Sequence, residues 1–255
     1  MKFKTLFLLL TCSTVFNVSL AQDLVSVTYE GYVNSTPHLE RYKNNPQKMA
    51  EMERAHEAAS KIPSIHVMTF NKDEFSFLLQ ERIKNDQPTE KGGARVVFTA
   101  CNDFYANIPE QYTLGEFDLG NKKYAIRDSL KTLDWKISNE KKEVMGYEVR
   151  KATAIYDSIT KVEAWYAPKL AYKNGPSQYW GLPGLILEAD EYNDYGNQNI
   201  VKVHYIAVLI EPHPKSAKIK RFEKLEQITQ EEYDAKLEEM QKTWKEMHND
   251  GVDKN

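Results

Sequence analysis

Four carboxylates crowd a single stretch: Glu188, Asp190, Glu191 and Asp194. Oxygen ligands at this density suit calcium. The spacing lacks the glycine and the closing glutamate of a helix–loop–helix calcium site, so the acids read as a solvated strand end and loop. The six histidines are His38, His56, His66, His204, His213 and His248. None forms His-x-His, none pairs with another at helical spacing, and no metal motif of known spacing appears. His204 is out of step with Val201, Val203 and Tyr205, which turns it to solvent or to the mouth of a cavity. Ser177 lies in Gly-Pro-Ser-Gln, a turn and not a nucleophile elbow. Gly92-Gly93 is a lone pair and no phosphate loop. No constellation for catalysis and no cofactor motif emerges, so the expectation is a non-enzymatic protein without a metal or cofactor. Aromatics remain: Tyr166, Tyr172, Tyr179, Trp180 and Tyr192 gather late in the chain. They fit either the packing of a corner or the lining of a ligand cleft. Trp165, Tyr166, Tyr179 and Trp180 are the candidate ligand-facing residues.

The chain opens with Lys2 and Lys4, continues through an apolar run from Thr5 to Leu10, and reaches Ser19-Leu20-Ala21. This is the pattern of a secretory signal peptide cleaved between Ala21 and Gln22. The apolar part is short and is broken by Thr11, Ser13, Thr14 and Asn17, which argues against a membrane span. Cys12 has the wrong surroundings for a lipid anchor. Its loss leaves Cys101 alone, and within Val96–Cys101 it reads as a small buried apolar side chain. Without Lys2 and Lys4 the 34 basic residues become 32 against 37 acids, a net charge near −5. That mild acidity argues against nucleic acid as a partner. Residues 22–255 then form one domain in a periplasmic or secreted setting.

Alternating apolar residues predict strands over Leu24–Val33, Ser64–Phe70, Glu74–Ile83, Ala94–Ala100, Lys123–Ile126, Leu133–Ile137, Val144–Ile155, Val162–Tyr166, Leu185–Ala189 and Ile200–Ile210. Phe104–Leu119 reads as irregular, and Asn139–Lys142 as a polar turn. Met49, Met52, Ala55, Ala59 and Ile62 recur at helical steps over Pro46–Ile62, so one early helix is expected, with the concave side of the sheet to cover. Ile228, Tyr233, Leu237, Met240, Trp244 and Met247 mark a C-terminal helix over about 229–248. Thr229 and Glu232 offer it a capping box. Short links between successive strands imply antiparallel pairs. The fold class is mainly β (α+β), a curved antiparallel sheet or half-barrel with these two helices.

One stretch stands out, Gly175-Pro-Ser-Gln-Tyr-Trp-Gly-Leu-Pro-Gly-Leu-Ile-Leu187. Pro183-Gly184 suits a type II turn, with glycine supplying positive φ. Leu185-Ile186-Leu187 is apolar on both sides, as in a fully buried strand. The motif Gly181, Leu182, Pro183, Gly184, Leu185, Ile186 therefore reads as a rigid corner feeding a central strand. The hexapeptide resembles the signature of the GLPGLI family, also called Porph_ging, exported proteins found chiefly in Bacteroidota. Trp135, Gly146-Tyr147, Lys151-Ala152, Ala164-Trp165-Tyr166, Gly175-Pro176 and Glu231-Glu232-Tyr233 follow the family pattern in the same order. Val149 stands where many members carry a cysteine, which removes a partner for Cys101. The resemblance implies no activity and no catalytic residue. The strand pattern is also similar to the curved half-barrels of LolA-type lipoprotein carriers, a similarity of fold class. The expected function is a binding or carrier-like module for a lipid, another apolar ligand or a segment of an envelope protein. The alternative is a structural or accessory protein of an outer-membrane or secretion system.

Overall fold

A computed structural model describes residues 24–35, 39, 42–80, 103–120, 122–196 and 199–249. Residues 1–21 with the cleavage after Ala21, the strand expected at Ala94–Ala100 and Cys101 lie outside the described residues.

Among the described residues, twelve strands form one sheet. They are β1 (Val25–Ser35), β2 (Ser64–Phe70), β3 (Glu74–Leu79), β4 (Phe104–Asn107), β5 (Tyr112–Leu119), β6 (Lys122–Ser129), β7 (Lys136–Val144), β8 (Tyr147–Ile155), β9 (Thr160–Ala167), β10 (Leu185–Asp194), β11 (Ile200–Pro212) and β12 (Glu226–Ile228). The spatial order is β12-β6-β5-β4-β3-β2-β1-β11-β10-β9-β8-β7. Two antiparallel meanders thus meet where β11 pairs with β1, and only β12 joins in parallel, on β6. The architecture is the expected mainly-β, curved open sheet.

Local differences from the sequence reading have physical causes. The polar stretch Asn139–Lys142 is not a turn but lies inside β7, the edge strand, where one row of side chains and backbone groups meets water. The true turn is Met145-Gly146, with φ of 51° and 78°. Positive φ at both central residues is the two-residue hairpin geometry whose twist matches its strands. Phe104–Leu119 is not irregular: it forms β4 and β5, joined by Ile108–Gln111. Leu133 and Asp134 are not in a strand; Leu133 is a buried plug in the connection before β7.

The helix α1 (Pro46–Ser60) begins as its sequence dictates, with the Asn45 side chain accepting from the Lys48 amide at 3.0 Å and Pro46 in the first turn. It does not cover the sheet as expected. None of its residues is buried, because a stripe of methionines and alanines among charges offers too little apolar area. His56 Nε2 bonds the Ser35 carbonyl at 2.7 Å. The helix α2 (Gln230–Asn249) carries the capping box: the Thr229 amide donates to Glu232 Oε2 at 2.9 Å and the Glu232 amide to Thr229 Oγ1 at 3.2 Å. Its Tyr233 packs on Phe117.

The connection from β11 to β12 is a strap laid across β3–β6. Phe222 enters a cluster with Tyr105, Tyr112, Leu114 and Ala125. The Lys220 amide donates to Ser76 Oγ at 3.2 Å, and the Lys220 ammonium pairs with Asp103 and Glu116. Arg221 forks onto Glu74, its Nε donating at 2.7 Å and a terminal nitrogen donating to the other oxygen, while the Tyr105 hydroxyl donates at 2.9 Å. The Arg221 guanidinium, with help from Tyr105 and against burial, holds the Glu74 carboxyl below the usual carboxylate range.

The corner at residues 167–187 differs from expectation in one point and holds in the rest. Gly184 is not at positive φ; Gly181 is, at 99°. The Gly184 amide donates to the Leu182 carbonyl at 2.8 Å, a three-residue turn centred on Pro183 and not the expected type II turn. Proline presets the φ that this turn needs. Gly184 is required for a different reason: an added Cβ would stand 2.7 Å from the Ala167 carbonyl carbon and closer still to its oxygen. Leu185, Ile186 and Leu187 are fully buried.

This packing makes two outcomes testable. Gly184→Ala should lower stability by more than Gly181→Ala in urea unfolding, although only Gly181 has positive φ. The first forces backbone apart and costs at least about 1–3 kcal/mol; the second meets only an ordinary contact with Trp135 Nε1 at 3.9 Å and costs about 1–2 kcal/mol for its φ alone. Glu74, being depressed in the fold, contributes stability above its unfolded pKa of about 4.3, and this contribution is lost as pH falls through the lower folded value. Melting temperatures followed from neutral pH to pH 3 should therefore drop less steeply in Glu74→Gln than in the parent.

Candidate ligand-binding face

The corner decides where the neighbouring side chains point. Ala152, Ala164 and Ala189 are direct cross-strand partners on β8, β9 and β10. Small side chains in a row let the 168–184 loop lie close on this side. Tyr166, Tyr179, Leu182 and Ile186 pack over them with Leu133. The loop is pinned by hydrogen bonds from the Gly181 amide to Lys173 O (2.7 Å), Leu185 to Leu170 O (3.0 Å) and Ile186 to Asn174 O (3.0 Å). Trp180 is held at both ends: its Nε1 donates to Lys131 O at 2.8 Å and its carbonyl accepts from Trp135 Nε1 at 2.9 Å. From the neighbouring half of the sheet, the Tyr29 hydroxyl donates to Ile186 O at 2.7 Å.

Along β10 the register against β9 slips between Ile186 and Glu188, so Leu187 is an extra residue. Beyond this bulge Glu188 faces Trp165, Asp190 faces Glu163, and on the other flank Asp190 faces His204 and Tyr192 faces Lys202. Tyr32 of β1 continues the row beyond His204. These residues line one side of β9, β10, β11 and β1, and Lys151, opposite Trp165, extends the row to β8, five adjacent strands in all. Most are half-buried, shielded by one another, and Trp165 packs its inner edge against the main hydrophobic core.

The face is charged and aromatic. Asp190 Oδ1 accepts from His204 Nδ1 at 2.8 Å and from the Lys202 ammonium at 3.0 Å. Burial acts to raise the Asp190 pKa, but the hydrogen bonds from His204 and Lys202 outweigh it and hold the carboxyl below its usual range. Lys142 pairs with Glu188 at 2.7 Å and stands 4.3 Å above the Trp165 ring. Lys151 pairs with Glu163 at 3.0 Å. Lys202 also stands 5.1 Å from the centre of the Tyr192 ring.

The four acids read from the sequence as one solvated cluster are thus divided by the pleat. Glu188 and Asp190 sit on this face, Glu191 accepts the Tyr179 hydroxyl at 2.6 Å, and Asp194 caps the next turn through the Gly196 amide. The candidate aromatics divide too. Tyr166 and Tyr179 are buried in the corner, and Trp165 and Trp180 keep partial exposure. Lys142, Lys151, Lys202 and Tyr32 were not singled out from the sequence, since their convergence depends on strand register and, for Tyr32, on the pairing of β1 with the distant β11.

His66 is buried on another part of the sheet, stacked on Phe77 with ring centres 4.9 Å apart. Ser64 Oγ donates to Gly31 O at 3.0 Å and lies 2.8 Å from His66 Nε2. Burial pushes the His66 pKa down to about 4, which keeps the ring neutral. Gly31 leaves the space this pair fills. A second, polar recess of about 330 Å³ opens beside the strap, lined by Asp73, Glu74, Tyr105 and Arg221 among others. No helix among the described residues is long and apolar enough to cross a membrane.

Several solved structures align with the chain at low identity. PNGF-II crystallised in space group C2 aligns with a TM-score of 0.49 and 16% identity over 84% of this chain and 32% of that one. The chain thus spans about a third of the PNGF-II chain it matches. An uncharacterised conserved protein from Thermus thermophilus aligns with a TM-score of 0.37 and 9% identity, covering 82% of this chain and 92% of its own. The LolA superfamily protein NE2245 from Nitrosomonas europaea gives 0.29 and 9%, with 80% and 93% covered. No curated protein matches the sequence. Residues 155–188, which run from the end of β8 through the corner into β10, match the model of the Porph_ging family, described as a protein of unknown function.

Proposed function

We propose that the protein is exported, loses residues 1–21, and acts in the periplasm or outside the cell as a non-enzymatic binding module. Its ligand is a segment of an envelope partner laid across the face of β8–β11 and β1. The observation that carries this reading is that face itself: half-buried and lined by Trp165, Tyr192, Tyr32 and His204 between ion pairs. Aromatic rings supply contact area at small entropic cost, and paired charges supply orientation. An apolar or lipid ligand fits less well, because the row carries Glu188, Asp190, Lys142 and Lys202, whose desolvation a hydrocarbon chain would not offset. The accessory-protein reading rests on α2, which packs Tyr233 on the sheet and leaves Met240 exposed.

Native mass spectrometry of protein isolated from the cells that export it tests the proposal. The expected result is a chain of residues 22–255 carrying a polypeptide partner. Tyr192 packs in none of the apolar clusters, so Tyr192→Ala should lose most of that partner at an unchanged melting temperature. Trp180→Ala should do the reverse, losing about 2 kcal/mol, or roughly 4–8 °C in melting temperature, and keeping the partner in proportion to folded protein. A bare parent chain, or full retention by Tyr192→Ala, would contradict the reading.

A further inference from the structure

Glu188, Asp190 and His204 are the one group among the described residues whose acidic and imidazole donor atoms converge, all within 4.8 Å of one another. Asp190 and His204 are direct cross-strand partners, and Glu188 lies two residues along β10 on the same side. This is three ligands on two rigid strands, needing no loop to close. We propose that these three side chains form a binding site for a divalent transition-metal ion of the Zn²⁺ class, a site that no spacing in the sequence announces.

The place is already one that holds a cation. The Lys202 ammonium and the His204 ring both point at Asp190 Oδ1, and the Lys142 ammonium is on Glu188. Metal–nitrogen and metal–oxygen bonds of about 2.0–2.2 Å bring neighbouring ligand atoms to about 3.3 Å. The 2.8 Å between His204 Nδ1 and Asp190 Oδ1 is close to that separation. The ion therefore takes the position between them, displacing the Nδ1 proton, so that the ring binds through Nδ1 as its Nε2–H tautomer. Glu188 closes the third side by a small rotation. The two lysines must leave: their side chains are 35% and 39% exposed and can swing into solvent, while the carboxylates they release, each 12% exposed, keep their charge by pairing with the ion instead. A nitrogen and two carboxylate oxygens favour zinc-class ions over calcium, which takes six or more oxygens. With three protein ligands a fourth position stays open to water or to a donor group of a partner.

The proposal does not depend on the partner assigned to this face, since ion binding is read on the isolated chain. Zn²⁺ is titrated calorimetrically into the untagged folded protein, with Ca²⁺ and Mg²⁺ in parallel. The expected result is one Zn²⁺ per chain, with Ca²⁺ and Mg²⁺ at least about tenfold weaker. His204→Gln and Asp190→Asn should each weaken Zn²⁺ binding by about 10–100-fold or more, with melting temperatures recorded to establish that both variants are folded. Lys202→Met removes the competing ammonium and should bind Zn²⁺ at least as tightly as the parent. A parent chain that takes up no Zn²⁺, a His204→Gln chain that binds it unchanged through other histidines, or a Lys202→Met chain that binds it less tightly would overturn the proposal.

Discussion

The arrangement depends on one close passage, the Gly184 backbone against the carbonyl of Ala167. It brings the chain from the 168–184 loop onto β9 at a fixed point. Leu185 and Ile186 then take their amide partners from that same loop, and Ile186 receives the Tyr29 hydroxyl from β1. The bulge at Leu187 does the rest. Ile186 faces Tyr166; without the extra residue, continuing that register would set Glu188 opposite Ala164 and Asp190 opposite Val162. Both carboxylates would then be pressed into the packed alanine side. A one-residue slip exchanges the two sides of a strand, and burying an unpaired carboxylate costs several kcal/mol. The register seen is therefore strongly selected over its neighbour, and the bulge is what reconciles a fully apolar entry, Leu185–Leu187, with a polar continuation.

The two halves of the sheet use their sides differently. In β3–β6 the strap from β11 to β12 covers one side, tied down by Arg221 on Glu74 and by Phe222 in its aromatic cluster. In β8–β10 the side packed is the one with the alanine row, beneath the corner loop. The opposite side of that half carries the Asp190, His204 and Lys202 network. The chain thus spends its long connections on sealing two surfaces and leaves a third, half-shielded by its own long side chains. The functional proposals both rest on that third surface, one on its extent and one on three of its residues.

Much of the fold was legible in the sequence because period-two alternation reports burial directly. Ser64–Phe70 appears at its predicted bounds, and the Thr229–Glu232 capping box forms as its spacing dictates. Misreadings arose where local chemistry and tertiary position diverge. Asn139–Lys142 is turn-like in composition but lies on an edge strand, where polar residues are at home on both rows. Met145-Gly146 takes a two-residue turn without the asparagine that usually announces it. The Pro183-Gly184 pair suggested glycine for its φ, whereas the space beside Ala167 is what demands it. Trp165 and Trp180 keep partial exposure as candidate contact residues, but Tyr166 and Tyr179 are core. The network around Asp190 was not legible, because it depends on the β10–β11 register, which the apolar pattern leaves open, and on the bulge against β9 that turns Glu188 and Asp190 to this side.

The central claim is that the corner and the start of β10 form the fixed point from which the functional face is aligned. Residue-resolved hydrogen exchange by NMR tests it most directly. The amides of Leu185 and Ile186, bonded to Leu170 and Asn174, should exchange only through global unfolding, with the same free energy as the centre of β9 and β11. Exchange of these two amides by local opening, while β9 and β11 remain protected, would show that the strands hold their register without the corner and would contradict the account.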